Sequence, residues 1–138
     1  MLFGRVKMKI NKIIIHASDT LPNMDVGAED IRRWHVEGNG WDDIGYHYVI
    51  RRDGSIEKGR DDNVQGAHVR GHNKNSLGVC MVGGYNGECN YTSAQWLSLE
   101  SIISTLKVQH KNATVHGHNE FSDKKCPCFD VKSWSETL

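Results

Sequence analysis

Three consecutive β-branched residues, Ile13, Ile14 and Ile15, predict a strand over Lys12–Ala17 buried on both faces. His16 stands at its carboxyl end, ahead of the polar loop Ser18–Asn23. From Gly27 to Glu37 the period becomes helical. Ile31, Trp34 and His35 share one face, Glu29, Asp30, Arg32 and Arg33 fall outside it, and Gly38, Asn39 and Gly40 stop it. His35 reads as helix packing. A strand over Tyr46–Arg51, a turn at Arg52-Asp53-Gly54-Ser55 and a returning strand over Ser55–Lys58 form a hairpin. Gly45 admits a close backbone approach just before it. Asp61–Asn75 is a long polar segment, the kind of loop that carries function, and is a candidate substrate wall.

Ser76–Val82 predicts a central apolar strand with Cys80 among its buried residues. A glycine-rich loop follows and ends near Cys89. Thr92 and Gln95 make a capping box, and the helix after it runs to about Gln109. Leu99, Ile102, Ile103 and Leu106 form its apolar stripe, extended by Trp96. Ala113–Val115 predicts a short strand, and Asp130–Glu136 a closing helix anchored by Trp134.

The chain has 138 residues, the size of one domain, and can bury a core without staples. No repeat, linker or low-complexity tract divides it. Seventeen basic residues balance seventeen acidic ones, so no electrostatic footprint for nucleic acid or an anionic membrane is present. Met1–Ile10 lacks the apolar core of a signal peptide, and no run has the length of a membrane span. The expectation is synthesis in the cytoplasm and exit by another route. The four cysteines, Cys80, Cys89, Cys126 and Cys128, read as metal ligands or free thiols rather than a disulfide framework.

No hydrophobic period explains His116 to Asp130, where two imidazoles, two thiols and two lysines crowd together. His118 and Cys126, with seven residues between them, can both reach one ion across a loop. A catalytic zinc site needs three protein ligands and an open position. His16, at the end of the first strand, can be the third. The competing set is a closed structural site of Cys126, Cys128, His116 and His118, although Cys-x-Cys is an awkward spacing for one ion.

Several patterns occur in order along the chain: Ile14-Ile15-His16-Ala17-Ser18, Gly40-Trp41, Ile44-Gly45-Tyr46-His47-Tyr48, Arg52-Asp53-Gly54, Gly59-Arg60, Gly66-Ala67-His68, Asn75-Ser76-Leu77-Gly78-Val79, Val82-Gly83-Gly84, and His118 with Lys124 and Cys126-Pro127. In these patterns the chain resembles the zinc-dependent N-acetylmuramoyl-L-alanine amidases, a family that includes amidase-type phage lysozymes and shares its fold with peptidoglycan recognition proteins. The resemblance implies a single α/β domain over 1–138, core about 12–135, with a central mixed β-sheet flanked by helices. It implies zinc on His16, His118 and Cys126, catalytic side chains Tyr46 and Lys124, and a substrate groove lined by His68 and Asn73. Glu120 is a candidate for orienting a ligand histidine, and His47 reads as structural because it faces away from Tyr46.

The implied reaction is hydrolysis of the amide between N-acetylmuramic acid and L-alanine in peptidoglycan, by a monomeric endolysin that binds no nucleic acid and inserts in no membrane. A non-catalytic peptidoglycan-binding module on the same fold is the alternative, against which Cys126 speaks. Regulation of a partner protein has no motif to support it.

Overall fold

Strand β1, Lys12–Ala17, lies between two parallel neighbours, β4 (Ser76–Met81) and β5 (Thr114–Gly117). The computed structural model describes residues 9–138. The expectation for the leading segment falls mostly on residues 1–8 and lies outside the described residues. Among these, a five-stranded sheet runs in the order β3-β2-β4-β1-β5, with β2 at Tyr48–Ile50 and β3 at Ile56–Lys58. β2 is parallel to β4 and antiparallel to β3, so the sheet is mixed.

Alternation along β1 divides the core. Ile13, Ile15 and Ala17 pack on one face against Leu99, Ile103 and Leu106 of helix α2 (Ser93–Gln109) and Val131 of helix α3 (Val131–Ser135). On the other face, helix α1 (Ala28–Arg33) packs Ala28 and Ile31 against Ile44, Val49 and Cys80. Cys80 is buried, as its strand predicts. Ile14 and His16 are left facing away from α2.

The predicted capping box is present: the Thr92 hydroxyl accepts from the Gln95 N–H and the Gln95 carboxamide oxygen from the Thr92 N–H. Gln95 goes further than a cap. Fully buried, it donates through Nε2 to the carbonyls of Ile50 and Val82, tying α2 to the ends of β2 and β4. Gly54 takes the positive φ of 90° that its turn requires. At Gly45 a Cβ would lie 2.1 Å from the Ala67 carbonyl oxygen, which is the predicted close approach.

Two elements differ from expectation. Regular pairing in β2 begins at Tyr48 rather than Tyr46: the N–H groups of the consecutive residues Gly59 and Arg60 donate to the carbonyls of His47 and Tyr46, so the ladder is irregular there. The first helix passes into a π-helical turn over Trp34–Gly38, which breaks the 3.6-residue register of the shared face. Trp34 is consequently exposed.

Candidate metal centre

The sheet register builds the centre. Ile15 of β1 stands opposite Gly117 of β5, and the strands are parallel. The next residue on each chain is a histidine. His16 Nδ1 and His118 Nδ1 therefore lie 3.2 Å apart. The turn at Lys125–Cys128 folds back toward the end of β1, where the Ala17 N–H donates to Cys126 Sγ at 2.9 Å. One donor atom each from His16, His118 and Cys126 lies within 4.8 Å of the others. Tetrahedral zinc, with bonds of about 2.0–2.3 Å, sets its donors about 3.3–3.8 Å apart. The set of two imidazoles and one thiol fits that ion with a small closure.

These groups open onto a cavity of about 560 Å³ whose lining includes Tyr46, His68 and Lys124. The Tyr46 ring lies 5.0 Å from that of His16, between centroids. Burial, then the neighbouring Cys80 and Cys126, pushes the Tyr46 phenol well above its ordinary value, so it remains a hydrogen-bond donor at neutral pH. Burial also holds His16 well below the usual histidine range, reinforced by His68, His118 and Lys124. His118 is lowered by burial and then by Lys124. Both imidazoles are thus neutral at pH 7, the form that binds a metal. In the metal-free protein burial pushes the Cys126 thiol up to about 11. Metal binding therefore has to displace a proton from it.

His68 lines the cavity and also touches the centre, with its Nδ1 2.8 Å from His16 Nε2. Asn73 is placed differently. Its carboxamide oxygen accepts the N–H groups of His68 and Val69, each at 2.8 Å, and it does not line the cavity. His47 is structural: it is buried, accepts from the Gly78 N–H and lies 2.8 Å from the Val64 carbonyl.

The closed four-ligand set is not assembled. Cys128 is joined to Cys89 in a disulfide, which corrects the reading of all four cysteines as ligands or free thiols. Sequence distance hid the pairing, since its partners are 39 residues apart and only the fold brings their Cα atoms to 5.5 Å. His116 pairs with Glu120 at 2.9 Å. Glu120 also accepts from the Gly117 N–H, so it braces the end of β5 and does not orient His118.

His35, read as packing, lines the cavity too. Its Nδ1 accepts from the Gly45 N–H, and its ring lies 4.6 Å from that of Trp41 and 5.6 Å from that of Tyr46. The sequence signal for this was a histidine three positions ahead of a glycine-rich helix stop.

The model of the N-acetylmuramoyl-L-alanine amidase family matches residues 6–129. The chain is 46% identical over 134 residues to the endolysin of Klebsiella phage KP32, covering 94% of this chain and 88% of that protein. It is 45% identical over 128 residues to the endolysin of Escherichia phage T7, covering 90% and 84%. Among solved structures, the Ph2119 endolysin from a Thermus scotoductus bacteriophage superposes with a TM-score of 0.82 at 28% identity, covering 96% of this chain and 84% of that one. The chain belongs to the N-acetylmuramoyl-L-alanine amidase family.

Proposed function

We propose that the protein is a zinc-dependent endolysin that hydrolyses the amide between N-acetylmuramic acid and L-alanine of peptidoglycan. The observation that carries this reading is the convergence of His16 Nδ1, His118 Nδ1 and Cys126 Sγ beside a cavity walled by Tyr46 and Lys124. His16, His118 and Cys126 would hold the zinc, which would supply Lewis-acid polarisation of the scissile carbonyl and an activated water.

The chain's own groups do the rest. As the carbonyl carbon becomes tetrahedral, its oxygen gains negative charge. The Lys124 ammonium, in the cavity wall, can meet that charge, and the protonated Tyr46 phenol can donate to it. The Ala17 N–H steadies the Cys126 sulfur. His68 remains in the wall that faces substrate, and Asn73 shapes that wall through the backbone of His68 and Val69.

The partner is the muramyl peptide of the cell wall, met by a monomer that reaches it after synthesis in the cytoplasm, with no role for nucleic acid. Among the described residues no helix is long and apolar enough to cross a membrane. Metal analysis of the purified protein, combined with product identification on peptidoglycan, tests the reading. Bound zinc and new N-terminal alanine are expected. New reducing sugar ends would identify a glycosidase and defeat it.

A further inference from the structure

His68 is held from every side. Its Nδ1 lies 2.8 Å from His16 Nε2, and its Nε2 lies 3.2 Å from Ser76 Oγ. Ser76 Oγ is also 2.8 Å from the carbonyl oxygen of His72 and 3.1 Å from that of Asn73. A carbonyl only accepts, so the single hydroxyl proton of Ser76 is directed to that pair and its lone pairs are left for His68. His68 must then carry its proton on Nε2 and accept on Nδ1. His16 in turn carries its proton on Nε2, which leaves the Nδ1 lone pair facing His118 and Cys126. Each proton position follows from backbone carbonyls, which have no second protonation state.

The fold clears space for this ring. A Cβ at Gly78, in the central strand β4, would lie 2.8 Å from His68 Cγ, and one at Gly66 would lie 2.8 Å from His68 Cδ2. Asn73 fixes the backbone of the same residue, and Val69 beside it is buried. Loop and strand together form a fitted seat for one imidazole.

We propose that His68 is a positioning residue that sets the orientation and tautomer of His16 as a metal donor, with Ser76 setting the tautomer of His68. This rests on the zinc reading of the site. Metal-bound histidines commonly donate their second N–H to a carboxylate, carbonyl or water. Here the acceptor is a neutral imidazole, which supplies direction without adding charge to the centre.

Long-range ¹H–¹⁵N NMR of the intact wild-type chain, with and without zinc, reads the tautomers. Protons on Nε2 of both His16 and His68 are expected, and a proton on His68 Nδ1 overturns the proposal. His68→Leu removes the acceptor and is expected to weaken zinc binding about 10- to 100-fold in chelator competition and to lower kcat. His68→Asn, whose amide oxygen can take the place of Nδ1, is expected to recover most of that loss. Wild-type zinc affinity with a raised KM in His68→Leu overturns the proposal and assigns the residue to substrate alone. Should His68→Leu fail to fold, the wild-type tautomers decide. A wild-type protein that binds no zinc defeats the metal reading instead, because the tautomers are read without metal as well.

Discussion

Cys128 is covalently bound to Cys89, while Cys126, two residues earlier, keeps a free thiol beside His16 and His118. The bond takes Cys128 out of any candidate ligand set and ties the turn at Cys126 to the loop at Asn86 and Gly87 that walls the cavity. Closing a loop of 39 residues is worth about 2–4 kcal/mol. Cys89→Ser is therefore expected to lower the free energy of unfolding by that amount without changing the sheet. Unfolding curves monitored by circular dichroism measure it. Thiol titration of the unfolded, unreduced wild type should find only Cys80 and Cys126 reactive.

Metal binding and catalysis should separate by mutation. Cys126→Ser loses zinc and activity together. Lys124→Ala and Tyr46→Phe keep zinc and lose rate, each by about 10²–10³ if it acts on the developing oxyanion. Zinc content measured beside turnover on peptidoglycan distinguishes the two groups. Loss of zinc from Lys124→Ala would place that lysine in metal retention rather than chemistry.

Acid should destabilise the metal-free protein. His16, His47 and His68 are all held below the ordinary histidine value, in each case chiefly by burial, with His68 brought to about 3. The unfolded chain takes up its histidine protons near pH 6.5, whereas these three resist them in the fold. Between those limits the unfolded state binds more protons, so stability rises with pH. It is complete above about pH 6.5 and declines as pH falls toward the folded values. The slope reaches about 1.4 kcal/mol per pH unit for each proton taken up on unfolding. Urea titrations at about pH 7 and about pH 5 should show the loss, and greater stability at the lower pH would contradict it.

Gln95 is the polar residue on which the helix-to-sheet join depends. Gln95→Leu leaves the Ile50 and Val82 carbonyls and the Arg52 guanidinium without this partner. A loss of at least about 2 kcal/mol is expected from these unmet groups. Equilibrium unfolding of the variant checks it.

Patterns of local origin were legible in the chain. Ile13–Ile15 announced a buried strand and placed His16 at its end; Thr92 and Gln95 announced the start of α2; Asp53-Gly54 announced the hairpin turn. What depended on contacts between distant segments was not. The Cys89–Cys128 bond, the seat of His68 between Gly66 and Gly78, and the carbonyls met by Gln95 exist only once the strands are ordered. The π-helical turn that exposes Trp34 and leaves His35 at the cavity likewise has no period to read. The residues proposed for the site came from the resemblance. Spacing alone supplied the His118–Cys126 pair and left the choice of third ligand open.

The parallel pairing of β1 with β5 also orders events during synthesis. His16 leaves the ribosome early, and His118 follows 102 positions later. Cys126 comes later still. A nascent chain accordingly has no complete donor set until β5, the last strand, has been made and can dock on β1. On the proposed zinc reading, metal capture would wait until the sheet has closed, and a chain released before Cys126 would lack one of the three proposed ligands.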